Sequence, residues 1–298
     1  MQYNPDFLEN THIFNQDELL SLEKISEKMP LELFLNSRGD KGLVEWLKFD
    51  FVYSSSQIEG NTYDRFETLA LLEEGITAGG KKYSDALMIL NLRDAYEEIL
   101  RDQIIPVNKQ TLKHLHSIIT KDLLPAKDIG SIREDDVKIM GTSYQPLGNR
   151  EKINAELDYL FKKYNTLNNP FDRALYLHNN LAYLQCFQDG NKRTARAMQF
   201  LSLKNDGIMP MVLIDTDKAV YSEYRKALII YYESGDYSET KEFFKKNYEK
   251  LYSEIIPLFA QDKALQDKIK PKGYQLEKSL KIKQNNQKRK GDIQCDIP

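Results

Sequence analysis

An acidic residue, a Gly-Asn turn and two arginines three apart crowd into one stretch of the chain, Gln185-Cys186-Phe187-Gln188-Asp189-Gly190-Asn191-Lys192-Arg193-Thr194-Ala195-Arg196. Each residue type brings its own capacity. Guanidinium groups such as those of Arg193 and Arg196 present planar forks that grip phosphate oxygens in pairs. A carboxylate such as Asp189 is a hard oxygen ligand suited to Mg²⁺ beside such an anion. Gly190 and Asn191 favour a turn whose N–H groups converge, and a helix starting after them adds free N–H groups and a positive dipole end. Together these point to a site for a Mg-nucleotide or polyphosphate.

Helices must carry these groups. An apolar helical pattern enters the stretch through Ala174, Leu175, Leu177, Leu181 and Leu184, and another leaves it through Ala195, Met198, Leu201 and Leu203. The spacing predicts helices over Leu19–Met29, Leu43–Ile58, Phe66–Glu74, Tyr83–Leu100, Lys109–Leu123, Lys152–Tyr164, Phe171–Cys186, Thr194–Asp206, Tyr221–Glu233 and Ser238–Leu258. Pro106, Pro125, Pro146, Pro170, Pro210 and Gly79-Gly80 punctuate them. Strand signals are scarce. Only Val137-Lys138-Ile139-Met140-Gly141, running on from Thr142 to Pro146, alternates like a short hairpin. The expected fold class is therefore all-α with one small β-hairpin, and no internal repeat is visible.

The stretch resembles the signature of the Fic (Fic/Doc, or Fido) family, written H-x-F-x-D/E-G-N-G/K-R-x-x-R. Phe187, Asp189, Gly190, Asn191, Lys192, Arg193 and Arg196 match it, whereas Gln185 stands where the family has histidine. Ser55-Ser56-Gln57-Ile58-Glu59-Gly60 resembles the inhibitory motif S/T-x-x-x-E-G/N of autoinhibited Fic proteins. Ser55 and Glu59 are spaced to share one helix face, and Gly60 suits a helix end. The resemblance implies that Glu59 pairs with Arg196 and takes the place of the ATP γ-phosphate. It also implies that the 137–146 hairpin is the Fic flap, which docks a target segment by strand addition. It extends over roughly Phe51 to Tyr252 and implies a Fic-type helical core with an N-terminal helical subdomain.

Further roles follow from the resemblance. The activity is transfer of AMP from ATP to a protein hydroxyl, with ATP and Mg²⁺ as the small molecules. Asp189 is the metal residue, and Gly190 with Asn191 is the anion nest. Arg193 neutralises the leaving phosphates and Arg196 the γ-phosphate; Lys192 belongs to the same nucleotide-binding group. Gln185, Asp189, Asn191 and Arg193 occupy the catalytic positions. An amide cannot take up a proton near neutral pH, so Gln185 removes the general base. Two alternatives stand beside AMP transfer. One is a catalytically inactive nucleotide-binding Fic pseudoenzyme. The other is Doc-like phosphotransfer, since Lys192 also stands in Doc proteins. His178 lies two helical turns before Gln185, about 10 Å away and too far to replace it directly. Cys186 reads as a buried inert thiol.

The whole-chain properties narrow the setting. With 298 residues and a net charge of −3, nothing in the overall balance argues for nucleic acid or membrane. Two cysteines, Cys186 and Cys295, imply no disulfide framework, and the N-terminus lacks signal-peptide character; both fit a cytoplasmic protein. The expected organisation is an N-terminal helical region with the inhibitory motif over 1–103, a Fic core over 104–258 and a basic tail over 259–298. The expected partners are ATP and a target protein on the 137–146 flap, with a homodimer left open.

Overall fold

The structure, a computed structural model, describes residues 1–32, 41–101, 103–214 and 217–261. Residues Met1–Ser253 form one compact unit and Glu254–Pro298 a second. Among the described residues ten α-helices are named here: α1 (Gln16–Lys28), α2 (Lys41–Ile58), α3 (Arg65–Glu74), α4 (Tyr83–Ile99), α5 (Lys109–Ile119), α6 (Arg150–Tyr164), α7 (Pro170–Leu184), α8 (Asn191–Asn205), α9 (Lys218–Ser234) and α10 (Ser238–Gln261). A 3₁₀ helix over Pro5–Glu9 precedes them, too short to leave a periodic signal. The last described residues, 254–261, are the final turns of α10, and the expected basic tail from 262 onward lies outside the described residues.

The starts and stops follow local chemistry. Asn15 with Glu18, and Asp64 with Glu67, make reciprocal capping boxes ahead of α1 and α3. Asn169 caps α7, which opens on Pro170, a residue with no N–H to satisfy there. At the centre of the 1–253 unit lies α7, buried along almost all its length from Phe171 to Leu184. Its main neighbour is α8, itself buried from Arg193 through Leu203. The helices α6 and α9 pack on α7, α5 packs on α8, and α4 touches α2, α5 and α8. Fully burying one large apolar side chain such as Phe171, Leu177 or Met198 contributes about 1.5–3 kcal/mol, so this pair anchors everything between its two helices. Asp172 on α7 accepts the backbone N–H groups of Ile13 and Phe14 and ties the N-terminal segment to the same helix.

One expectation is corrected. The described residues contain no β-strand, and the 137–146 segment is not a hairpin flap. Apart from the Tyr144 N–H donating to the Thr142 hydroxyl at 3.1 Å, its bonds run outward. Thr142 donates its hydroxyl to Glu233 of α9, 2.5 Å away, and the Tyr144 hydroxyl donates to the Tyr183 carbonyl at 2.9 Å. Gln145 makes an isolated parallel bridge with Gln2, its N–H reaching the Met1 carbonyl at 2.7 Å. A five-residue alternation fitted a strand, but helices and the N-terminal segment supply its partners.

Candidate functional site

The turn between α7 and α8 is built by special backbone. Gln185 ends α7 in the left-handed region, at φ 48° and ψ 54°. Arg133, itself buried, holds that conformation: its Nε donates to the Gln185 carbonyl at 2.6 Å, and its backbone N–H donates to the Cys186 carbonyl at 3.1 Å. Phe187 is buried and stacked on His116, with ring centroids 3.7 Å apart. The Asn191 side chain reaches back to both backbone groups of Phe187, at 2.9 Å and 2.8 Å, and so closes the loop on itself. Gly190 has φ +76°, and a Cβ there would lie 2.7 Å from Thr120 Cγ2. Glycine is required by both conformation and space.

His116 supports this loop from below. Its Nδ1 accepts the Gly130 N–H at 2.9 Å, so the proton sits on Nε2 and is donated to the Asp189 carbonyl, also at 2.9 Å. Burial, with the Arg193 charge adding to it, pushes its pKa down to about 4, against the pull of the Asp189 carbonyl. A lone histidine on an amphipathic helix gives no signal in sequence, and sequence reasoning assigned it no role. The same holds for Arg133 and Tyr224.

The charged groups converge on the start of α8. Its N-cap, Gly190, offers no side-chain hydrogen bond, so the first-turn N–H groups have no cap. Arg193 is buried, and its Nη2 donates to the Asp189 carboxylate at 3.0 Å. Its Nε and Nη1 have no partner. Unpaired buried guanidinium donors are costly and mark a place where an acceptor belongs. Asp189 is 67% exposed, the one acid of the loop turned to solvent. Among the described residues no cluster of acids, histidines or cysteines could hold a metal by protein ligands alone. Asp189 therefore suits a hard cation that takes its remaining oxygens from a bound phosphate.

Arg196, one turn further on, is fully engaged. Nη2 donates to Glu59 Oε1 at 2.9 Å and to the Ser55 carbonyl at 3.1 Å, and Nε donates to the Ser55 hydroxyl at 3.1 Å. Helix α2 ends at Ile58, so Glu59 sits just past its last residue, ahead of Gly60 at φ +84°. Lys192 closes on the other Glu59 oxygen at 3.2 Å. Burial opposes the Glu59 charge, but Arg196, Lys192 and Arg193 outweigh it and hold its pKa down to about 2. The expected Glu59–Arg196 pair is thus present, with a second cation added. The Gln185 amide donates to the Ala182 carbonyl at 2.6 Å. Cys186 is buried with its thiol pushed up to about 12, and His178 is buried beneath α9, bonded to Tyr224.

Residues 106–203, which hold α7, the turn and all but the last two residues of α8, match the Fic/DOC family model. The chain resembles the Fic/DOC family over this third of its length. It is 28% identical over 218 residues to the protein adenylyltransferase Fic of Nematostella vectensis, covering 68% of this chain and 49% of that protein. It is also 28% identical over 186 residues to protein adenylyltransferase fic-1 of Caenorhabditis elegans, covering 58% of this chain and 35% of that protein. The chain thus spans half or less of the length of these relatives. Among solved structures, Fic-1 (residues 134–508) of C. elegans superposes with a TM-score of 0.65 at 21% identity, covering 81% of this chain and 71% of that one. A Fic family protein from Desulfovibrio desulfuricans superposes at 0.66 and 17% identity, covering 82% and 76%. These likenesses show the Fic fold, and the relatives' names associate it with adenylyl transfer.

Proposed function

We propose that this chain is an autoinhibited Fic-type protein adenylyltransferase, weakened by Gln185. The observation that carries the reading is the buried Arg193, with free Nε and Nη1 donors beside the uncapped start of α8. Those donors suit phosphate oxygens. In this reading Arg193 neutralises the leaving phosphates of ATP, and Asp189 would hold Mg²⁺, which neutralises phosphate charge when bound. Arg196 takes the γ-phosphate once Glu59 leaves it. A target hydroxyl attacks the α-phosphorus, the α–β bond breaks and pyrophosphate departs. The hydroxyl proton has no acceptor at residue 185, because an amide cannot take it. Residues 1–103 then carry the lock and 104–258 the chemistry, with ATP and a target protein as partners.

A second reading has its own observation. The Gln185 amide donates to the Ala182 carbonyl and cannot take up a proton, which suits a nucleotide-binding protein without turnover. Incubation of the Glu59→Gly variant with α-³²P-ATP and, separately, γ-³²P-ATP decides. Protein label from the first supports AMP transfer, and label from γ-³²P-ATP alone indicates phosphotransfer. Binding with no label supports the inactive form.

A further inference from the structure

Behind Arg196 a line of buried side chains runs from α8 through α9 and α7 to α10. Arg196 Nη1 lies 3.2 Å from the Tyr224 hydroxyl, and that hydroxyl lies 2.9 Å from His178 Nε2. His178 Nδ1 is 2.9 Å from Asn179 Oδ1, and Asn179 Nδ2 is 2.7 Å from Thr240 Oγ1. Thr240 Oγ1 ends the line on the Tyr237 carbonyl at 3.0 Å. Tyr224, His178, Asn179 and Thr240 are all buried.

The direction of every bond follows from the two ends. The Tyr237 carbonyl can only accept, so Thr240 spends its single proton there and must accept from Asn179 Nδ2. That fixes the amide with Oδ1 toward His178, so His178 carries its proton on Nδ1 and presents a bare Nε2. Tyr224 then donates to Nε2, which turns its oxygen lone pairs toward Arg196. At the other end Arg196 can only donate. Both ends demand the same polarity, and each link tends to strengthen the next. A charged His178 would reverse that link, since Nε2–H would donate to the Tyr224 hydroxyl and leave the Tyr224 proton without its acceptor. Burial, with the Arg196 charge adding to it, keeps His178 neutral, with its pKa pushed down to about 4.

We propose that Tyr224 and His178 are positioning residues for Arg196: this one-way relay holds the guanidinium at the phosphate-facing start of α8 when Glu59 withdraws. The inference rests on the reading of Arg196 as a phosphate ligand. It explains what keeps Arg196 in place after its partner carboxylate is gone, since Tyr224 remains as an acceptor on the far side. Ser55 alone would leave the guanidinium tied to the helix that has to release it.

The test uses the full chain with Glu59→Gly, so that no carboxylate competes. Calorimetry with Mg-ATP and with AMP should show that adding Tyr224→Phe weakens ATP roughly tenfold while AMP, which lacks the terminal phosphate, binds as before. His178→Leu should match that loss. His178→Gln, which keeps an acceptor for the Tyr224 proton, should return ATP affinity to within about twofold of the background. Equal ATP affinity with and without Tyr224→Phe, or equal losses for ATP and AMP, would overturn the inference. Two measurements on the nucleotide-free protein judge the relay separately. ¹⁵N spectra should show neutral His178 protonated on Nδ1, and Tyr224→Phe should speed exchange of the Arg196 guanidinium protons. A proton on Nε2, or unchanged exchange, sinks the relay. If the Glu59→Gly background binds no ATP, the phosphate reading fails, and these two measurements still decide whether Tyr224 and His178 hold Arg196.

Discussion

At the scale of single residues, Glu59 and Gln185 pose separate obstacles. Glu59 fills the acceptor place on Arg196 and, through Lys192, is held by two cations at 2.9 Å and 3.2 Å. Replacing it by glycine should tighten Mg-ATP binding measured by calorimetry, and unchanged affinity in a folded variant would refute the lock. Gln185 should leave binding alone and limit the chemistry. Glu59→Gly with Gln185→His should therefore exceed Glu59→Gly alone in α-³²P-AMP transfer by at least ~10²-fold, the lower end of what a general base supplies. Equal rates would mean that another group receives the proton.

At the scale of elements, the junction of α7 and α8 depends on its backbone. Gly190→Ala would drive a Cβ against Thr120 Cγ2 and Nε2 of His116 at a positive φ. Strain of that kind costs about 1–3 kcal/mol, visible as a lower urea midpoint, with loss of nucleotide binding following from a displaced Asp189 carbonyl. A midpoint equal to wild type would show that the loop relaxes freely. The helices that frame this junction were legible in sequence, because apolar periodicity runs without interruption from Leu175 to Leu184 and again from Ala195 to Leu203. Boundaries moved by a few residues: α8 starts at Asn191 rather than Thr194, since the first turn carries no apolar residue to mark it. The 137–146 hairpin was misread, because alternation reports a half-buried extended segment and not its hydrogen-bond partners. Asp189, Arg193 and Arg196 were legible through charge and spacing, and Lys192 and Glu59 through the resemblance to the family. His116, Arg133 and Tyr224 were not, because they act through backbone carbonyls and other side chains that are distant in sequence.

At the scale of the whole molecule, two buried neutral histidines make stability depend on pH. His116 and His178 each fall from the ordinary 6.5 to about 4 in the fold. Between these values the unfolded chain binds more protons than the native one, so stability falls as pH is lowered from 6.5 toward 4. Each histidine removes on the order of 3 kcal/mol across that window. Glu59, held down to about 2 from 4.5, extends the decline to lower pH in the same direction. Urea midpoints measured from pH 7 to pH 4 should drop steadily, and the His116→Gln, His178→Gln double variant should flatten the profile. A flat wild-type profile would refute neutral burial of these rings. The left-handed turn at residue 185 carries a different kind of consequence. Arg133 fixes it through main-chain carbonyls, and histidine adopts that backbone region more readily than most side chains. The backbone at residue 185 thus suits histidine as well as glutamine. Glutamine and histidine codons differ only in their third base, so a single nucleotide separates this chain from the family's usual residue.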